Sequence, residues 1–114
     1  MLEKADIVTL HTPLDDSTCN ILNKQKLELL KPSAILINAA RGGLVDEVAL
    51  RNMLQSNRLA AAAFDVFSVE PPEDKGLLEL PNFLVTPHIG GSAEEAILAM
   101  GRAAINGLDE NCIP

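Results

Sequence analysis

Four short apolar runs, each closed by turn-forming residues, constrain the fold of this chain more than any other feature. They are Ala5 to His11 (ADIVTLH), Ala34 to Ala40 (AILINAA), Leu59 to Phe67 (LAAAAFDVF) and Phe83 to His88 (FLVTPH). Each is too short for an ordinary helix, and none alternates strictly between apolar and polar residues. They therefore read as buried strands of a parallel sheet rather than of a sheet with one wet face.

The segments between the runs carry helical signals. Asn23 is placed to cap a helix from Lys24 to about Lys31, with Leu27 and Leu30 inward and Pro32 ending it. Asp46 begins a second helix, in which Leu50, Met53 and Leu54 share one face before the polar Gln55-Ser56-Asn57-Arg58 exit. Ser92 and Glu95 form an S-x-x-E capping box for a third, from Ala93 to about Asp109, with Ile97, Met100, Ala104 and Leu108 as its apolar stripe. Pro71-Pro72-Glu73-Asp74-Lys75 and its neighbours read as an acidic, helix-breaking loop. The alanines from Ala60 to Ala63 suit close packing against a neighbour or ligand. Strands alternating with helices imply right-handed βαβ crossovers, so the fold class is α/β, with about four parallel strands and flanking helices.

Size and charge narrow the function classes. With 114 residues, the chain fits one small domain and excludes a two-domain enzyme. A compact monomer of this mass leaves roughly 6,000 Å² exposed, about a third of the open chain's surface, so a real core is within reach. Sixteen acidic against nine basic side chains give a net charge of −7, which argues against a nucleic-acid footprint and against attraction to anionic membranes. No apolar stretch approaches the roughly 18 residues of a membrane span, and Met1-Leu2-Glu3-Lys4 does not resemble a signal peptide. A soluble, cytoplasmic protein is expected. Cys19 and Cys112 have no C-x-x-C spacing and read as reduced, incidental thiols.

Ligands of open α/β sheets bind at the carboxyl ends of the strands. Those ends deliver His11-Thr12-Pro13, then Asn38 to Gly43, then Asp65 through Glu70-Pro71, then Pro87-His88-Ile89-Gly90-Gly91. Arg41, followed by two glycines, offers a planar fork suited to a carboxylate on a loop whose backbone can approach a ligand. His88 can exchange a proton near neutral pH, and Glu70 can orient that imidazole and favour its protonated form. Singly, each of the three also reads as an ordinary surface or structural residue. Asp65, in an apolar strand, requires hydrogen-bond donors if it is buried. Gly90-Gly91-Ser92 has the form of a weak helix-start anion site or of a simple turn.

The strings HTPL (His11 to Leu14), INAARGGLVDE (Ile37 to Glu47), AAFDVFSVEPP (Ala62 to Pro72) and TPHIGGS (Thr86 to Ser92) closely resemble the D-isomer-specific 2-hydroxyacid dehydrogenases. That family includes D-3-phosphoglycerate dehydrogenase, D-lactate dehydrogenase and glyoxylate/hydroxypyruvate reductase. The resemblance implies an NAD(P)-dependent oxidoreductase that interconverts D-2-hydroxy acids and 2-oxo acids. By motif position, Arg41 matches the substrate-carboxylate arginine, His88 the proton donor or acceptor, and Glu70 the acid paired with it. Asp65 matches the residue that holds the nicotinamide carboxamide. Thr12, Ala39, Ala40 and Gly90 match positions lining the cofactor, which Arg41 and His88 also border. No metal is implied, NADP is not distinguished from NAD, and a homodimer is implied by resemblance.

The seven glycines, at 42, 43, 76, 90, 91, 101 and 107, include no G-x-G-x-x-G. Residues 1–114 are therefore expected to be the C-terminal half of a Rossmann-type dinucleotide-binding domain, lacking the first nucleotide-binding half, with the substrate domain absent. Such a fragment is expected to be inactive alone. The alternative expectation, of a different class, is a non-catalytic module that binds a partner or self-associates through its sheet edge and apolar face.

Overall fold

A computed structural model describes residues 1–110 of the chain, with side chains through Leu108. The four apolar runs form one parallel sheet in the order β1 (Ile7–Leu10), β2 (Ile35–Asn38), β3 (Ala61–Phe64) and β4 (Phe83–Val85). Ile7 pairs with Ile35, Ile35 with Ala61, and Ala62 with Phe83. Each strand is shorter than its apolar run, because pairing stops where the neighbour turns away. The unpaired ends, His11 to Pro13, Ala39 to Gly43, Asp65 to Glu70 and Thr86 to Gly90, become the loops of one rim.

The crossovers carry α1 (Lys24–Leu27), α2 (Glu47–Gln55) and α3 (Lys75–Leu78). Asn23 and Asp46 cap α1 and α2 as their positions predict, accepting from the Lys26 and Ala49 amides at 3.0 and 2.9 Å. Leu27 and Leu30 are buried, as are Leu50, Met53 and Leu54 on α2. The first helix is shorter than expected: Glu28 ends it, and a turn closed from the Leu30 amide to the Leu27 carbonyl carries the chain to Pro32. The third is a correction to the helix-breaking reading. Asp74 caps it through the Leu77 amide at 3.2 Å and drives Leu77 into the core, so the breakers Pro71 and Pro72 stand before the cap rather than inside a helix.

A strictly sequential strand order with right-handed crossovers places α1 to α3 on the same face of the sheet. Under them lies the core, built from Leu36, Phe64 and Phe83 of the strands and Leu27, Leu50, Leu54 and Leu77 of the helices. The chain's three phenylalanines form one cluster, with ring centroids 5.4 to 6.2 Å apart. Beyond burial, each such pair contributes about 0.5–1.5 kcal/mol. Phe64 and Phe67 thereby anchor both ends of the segment that carries Asp65.

The opposite face is the second correction. Burial alternates along β2 and β3 although hydropathy does not, and Ile7, Ile35 and Leu84 remain exposed. The strands have the composition of a sheet covered on both faces, while only one face is covered among the described residues. The final helix α4 (Glu94–Glu110) exists as expected, but its stripe does not pack inward: Ile97 is 54%, Met100 58% and Leu108 73% exposed. Pro87 to Glu95 are exposed throughout, so nothing on that stretch folds the helix back against the sheet. The capping box also shifts. The Ala93 carbonyl accepts the first helical bond, from Ile97 at 3.0 Å, which makes Ala93 the cap residue and leaves Ser92 one position too early.

Cys19 is exposed and unpaired; Cys112 lies outside the described residues. No helix among the described residues is long and apolar enough to cross a membrane.

Candidate active site

The rim at the carboxyl ends of β3 and β4 encloses a cleft of about 400 Å³ lined by Asp65, Phe67, Glu70, Val85, Thr86 and His88, with Pro71, Pro72 and Pro87 completing it. Glu70 Oε2 lies 2.7 Å from His88 Nδ1. An ionised carboxylate only accepts, so Nδ1–H is the donor. Among the described residues, Nε2 is then the ring nitrogen without a protein partner. The bond from His88, then that from the Phe67 amide to Oε1 at 3.0 Å, hold the Glu70 carboxyl below the usual glutamate range, against burial and the Asp65 charge.

His88 occupies the left-handed region, with φ +53°. For a histidine this is uncommon, and such residues persist where the surroundings over-determine them. Asp65 supplies that determination. Its Oδ1 accepts from Thr86 Oγ1 at 2.6 Å and from the Ile89 amide at 2.8 Å, and its Oδ2 accepts from the Gly90 amide at 2.8 Å. Asp65 thus grips the turn on both sides of His88. Burial pushes its carboxyl up, but these three bonds outweigh burial and hold it below the ordinary aspartate value. A Cβ on Gly90 would lie 2.9 Å from Oδ2, so a glycine is needed there for the approach. The Gly90 and Ser92 amides are already bonded, to Asp65 and to the Ile89 carbonyl. The anion-site reading of Gly90-Gly91-Ser92 is therefore corrected to a turn that serves Asp65.

Arg41 stands apart from this pair. With His11, Thr12, Pro13, Ala39 and Ala40 it lines a neighbouring groove of about 290 Å³. Its guanidinium is exposed and donates to the Ala40 carbonyl at 2.6 Å. Between groove and cleft, on the open sheet face, Ile37, Ala39, Ala63, Asp65, Leu84 and Thr86 border a smaller pocket of about 110 Å³. The structure therefore pairs Glu70 with His88 and Asp65 with Gly90 at one end of the sheet. It sets Thr12, Ala39, Ala40 and Arg41 together one loop away.

Three supporting residues are not legible in the sequence as such. Asn38, 1% exposed, donates through Nδ2 to the Arg41 carbonyl at 3.0 Å and accepts from the Ala40 amide at 3.2 Å, fixing the arginine loop. Thr86 buttresses Asp65. Glu47 binds the loop before Glu70. Only Asn38 leaves a usable signal, as a lone amide in an apolar strand. Gly42, expected to let backbone approach a ligand, approaches protein instead. A Cβ there would lie 1.8 Å from the Phe67 carbonyl oxygen, so the arginine loop and the glutamate loop are in direct backbone contact.

Residues 1–90 match the model of the D-isomer specific 2-hydroxyacid dehydrogenase NAD binding domain. The chain belongs to the D-isomer-specific 2-hydroxyacid dehydrogenases. Among its relatives, the D-3-phosphoglycerate dehydrogenase of Methanocaldococcus jannaschii is 48% identical over 101 residues, covering 89% of this chain and 19% of that protein. The glycerate dehydrogenase of Methylorubrum extorquens is 41% identical over 112 residues, covering 96% of this chain and 36% of the relative. In structure, a glyoxylate reductase from Paecilomyes thermophila superposes with a TM-score of 0.89 at 34% identity, over 95% of this chain and 33% of the other. The chain thus spans between about a fifth and just over a third of the length of these relatives.

The residues present fit the nicotinamide end of the family's cofactor. Asp65 Oδ2 accepts one bond and keeps acceptor capacity toward the small pocket, whose alanines leave room for a flat ring. The glycines of a pyrophosphate turn are not in the sequence.

Proposed function

We propose that this chain carries the nicotinamide-facing and substrate-facing half of the dinucleotide-binding domain of an NAD(P)-dependent D-2-hydroxyacid dehydrogenase. The observation that carries the reading is the 2.7 Å contact of Glu70 with His88 Nδ1 at the mouth of a cleft. With Nδ1 committed to Glu70, Nε2 is the atom that gives a proton to the substrate C2 oxygen in reduction and takes it back in oxidation. Glu70 fixes the ring's orientation. Arg41, exposed on the adjoining loop, holds the substrate carboxylate by turning its fork from the Ala40 carbonyl toward the cleft. Asp65 and the backbone of Thr12, Ala39, Ala40 and Gly90 serve the cofactor side. When bound, the nicotinamide supplies the hydride chemistry.

The test joins this chain to the glycine-rich half and substrate domain of a relative. His88→Ala is expected to lower kcat by 100-fold or more, on the order typical of lost acid–base catalysis, with the Kd for NADH nearly unchanged. Equal loss of both would refute the assignment.

The exposed apolar residues of the open sheet face and of α4 favour a second reading, self-association, including the homodimer expected from the resemblance. Sedimentation velocity over a concentration series tests it: a single monomeric species throughout would exclude it.

A further inference from the structure

The contact between the arginine and glutamate loops continues into α2. Glu47, the first residue of that helix, reaches across 21 positions of sequence to Ser68, accepting its amide on Oε1 at 2.8 Å and its hydroxyl on Oε2 at 3.0 Å. Both carboxylate oxygens are thus committed to one residue of the glutamate loop. The platform behind Glu47 is rigid: Asp46 caps the helix, and Leu50 and Leu54, 0% and 1% exposed, seat it in the core. One residue before Ser68, the Phe67 amide binds Glu70 Oε1, and Glu70 Oε2 meets His88. An unbroken series of hydrogen bonds and peptide units therefore runs from the core helix to the imidazole.

We propose that Glu47 is a positioning residue for the proton-handling pair, fixing through Ser68 the loop that aims Glu70 at His88. It touches neither the cleft's imidazole nor Arg41, and acts on the pair only through the backbone of residues 67 to 70. The double acceptance matters because loop 67–70 has few other anchors. Ser68, Val69 and Glu70 are all exposed, so their placement comes from Glu47, from the Phe67 ring in its cluster, and from the packing of Gly42 on the Phe67 carbonyl. Removing Glu47 leaves the ring and the carbonyl contact in place. It releases the side of the loop that faces Glu70. The charged groups that act on the Glu70 carboxyl are His88 beyond β4 and Asp65 at the end of β3.

This inference rests on the Glu70–His88 pairing proposed above, and NMR of the labelled chain separates the two. The Glu70 Cδ titration and the hydrogen exchange of the Ser68 amide are measured in wild type, Glu47→Ala, Glu47→Gln and Ser68→Ala, with the Leu50 methyl signals reporting the integrity of the core. In Glu47→Ala, the Ser68 amide is expected to exchange roughly tenfold faster or more, as for loss of a bond to a charged acceptor. The Glu70 midpoint is expected to rise toward the ordinary glutamate value. Glu47→Gln keeps an amide oxygen for the Ser68 N–H and is expected to restore the low midpoint; Ser68→Ala loses one of the two bonds and falls between. A Glu70 midpoint that stays low in Glu47→Ala, with the Leu50 signals unmoved and Ser68 deprotected, overturns the positioning role alone. A wild-type midpoint at the ordinary value overturns the pairing itself, and the inference with it.

Discussion

Asp65 shows how much one buried carboxylate can organise. It accepts from Thr86, Ile89 and Gly90, and the result is a histidine held in a backbone region that its own side chain does not favour. Asp65→Asn offers one acceptor oxygen where two are used and points an amide donor at another donor. A loss of about 1–3 kcal/mol is expected, read as a lower urea midpoint. The pH dependence has a definite sign. Asp65 and Glu70 both titrate lower in the folded chain than unfolded. The unfolded chain therefore binds more protons as pH falls. Their contribution is complete above the ordinary carboxylate range, near about pH 4, and is lost as pH drops through the folded values beneath it. Urea midpoints are thus expected to fall steeply below about pH 4 in wild type and less steeply in Asp65→Asn. Gly42 makes the other residue-scale case. With a Cβ 1.8 Å from a backbone oxygen, Gly42→Ala must force the arginine and glutamate loops apart, and a cost of about 3 kcal/mol or more is expected in the same measurement.

Among the elements, α2 joins core and site, since one face packs under the sheet while its first turn holds Ser68. Two substitutions separate cap from packing. Asp46→Ala loses an N-cap, worth about 1 kcal/mol. Leu50→Ala, at a site with no exposure, empties a well-packed position and is expected to cost about 2–5 kcal/mol, read by thermal or urea unfolding. The elements were legible where a local signal sets them. Asn23 and Asp46 announced their helices because a cap lies within three residues of the amide it satisfies. The apolar runs announced the strands but not their ends, which depend on where a neighbour stops pairing. Asp74 carries the same kind of signal, obscured by the prolines before it. The partner of Glu47 was not legible, because a contact 21 residues away leaves no spacing in sequence. For the site, the residue types at the rim were readable and the Glu70–His88 pairing followed from the resemblance. The placement of Arg41 in its own groove and the grip of Asp65 on the histidine turn arise only once the strands are paired and their loops set side by side.

At the scale of the whole molecule, surface governs behaviour. The chain exposes 7664 Å², well above the roughly 6,000 Å² expected for a compact monomer of this mass. Exposed apolar residues of the open sheet face, such as Ile7 and Leu84, and of α4, such as Ile97 and Met100, contribute to that surface. A concentration-dependent sedimentation coefficient is expected, and Leu84→Ser with Ile97→Ser is expected to weaken it without lowering the unfolding free energy by more than about 0.5 kcal/mol, as for exposed positions. NADH should bind this chain only weakly, because its sequence offers no glycine turn for the pyrophosphate. A titration followed by cofactor fluorescence checks this without interference, since the chain has no tryptophan. The strand order has a bearing on synthesis as well as on shape. Every strand after the first pairs with the strand made just before it, so each crossover can dock on a finished neighbour as it leaves the ribosome. The sheet then grows in one direction, and the rim gains its loops in order, with His88 arriving after the glutamate that it meets.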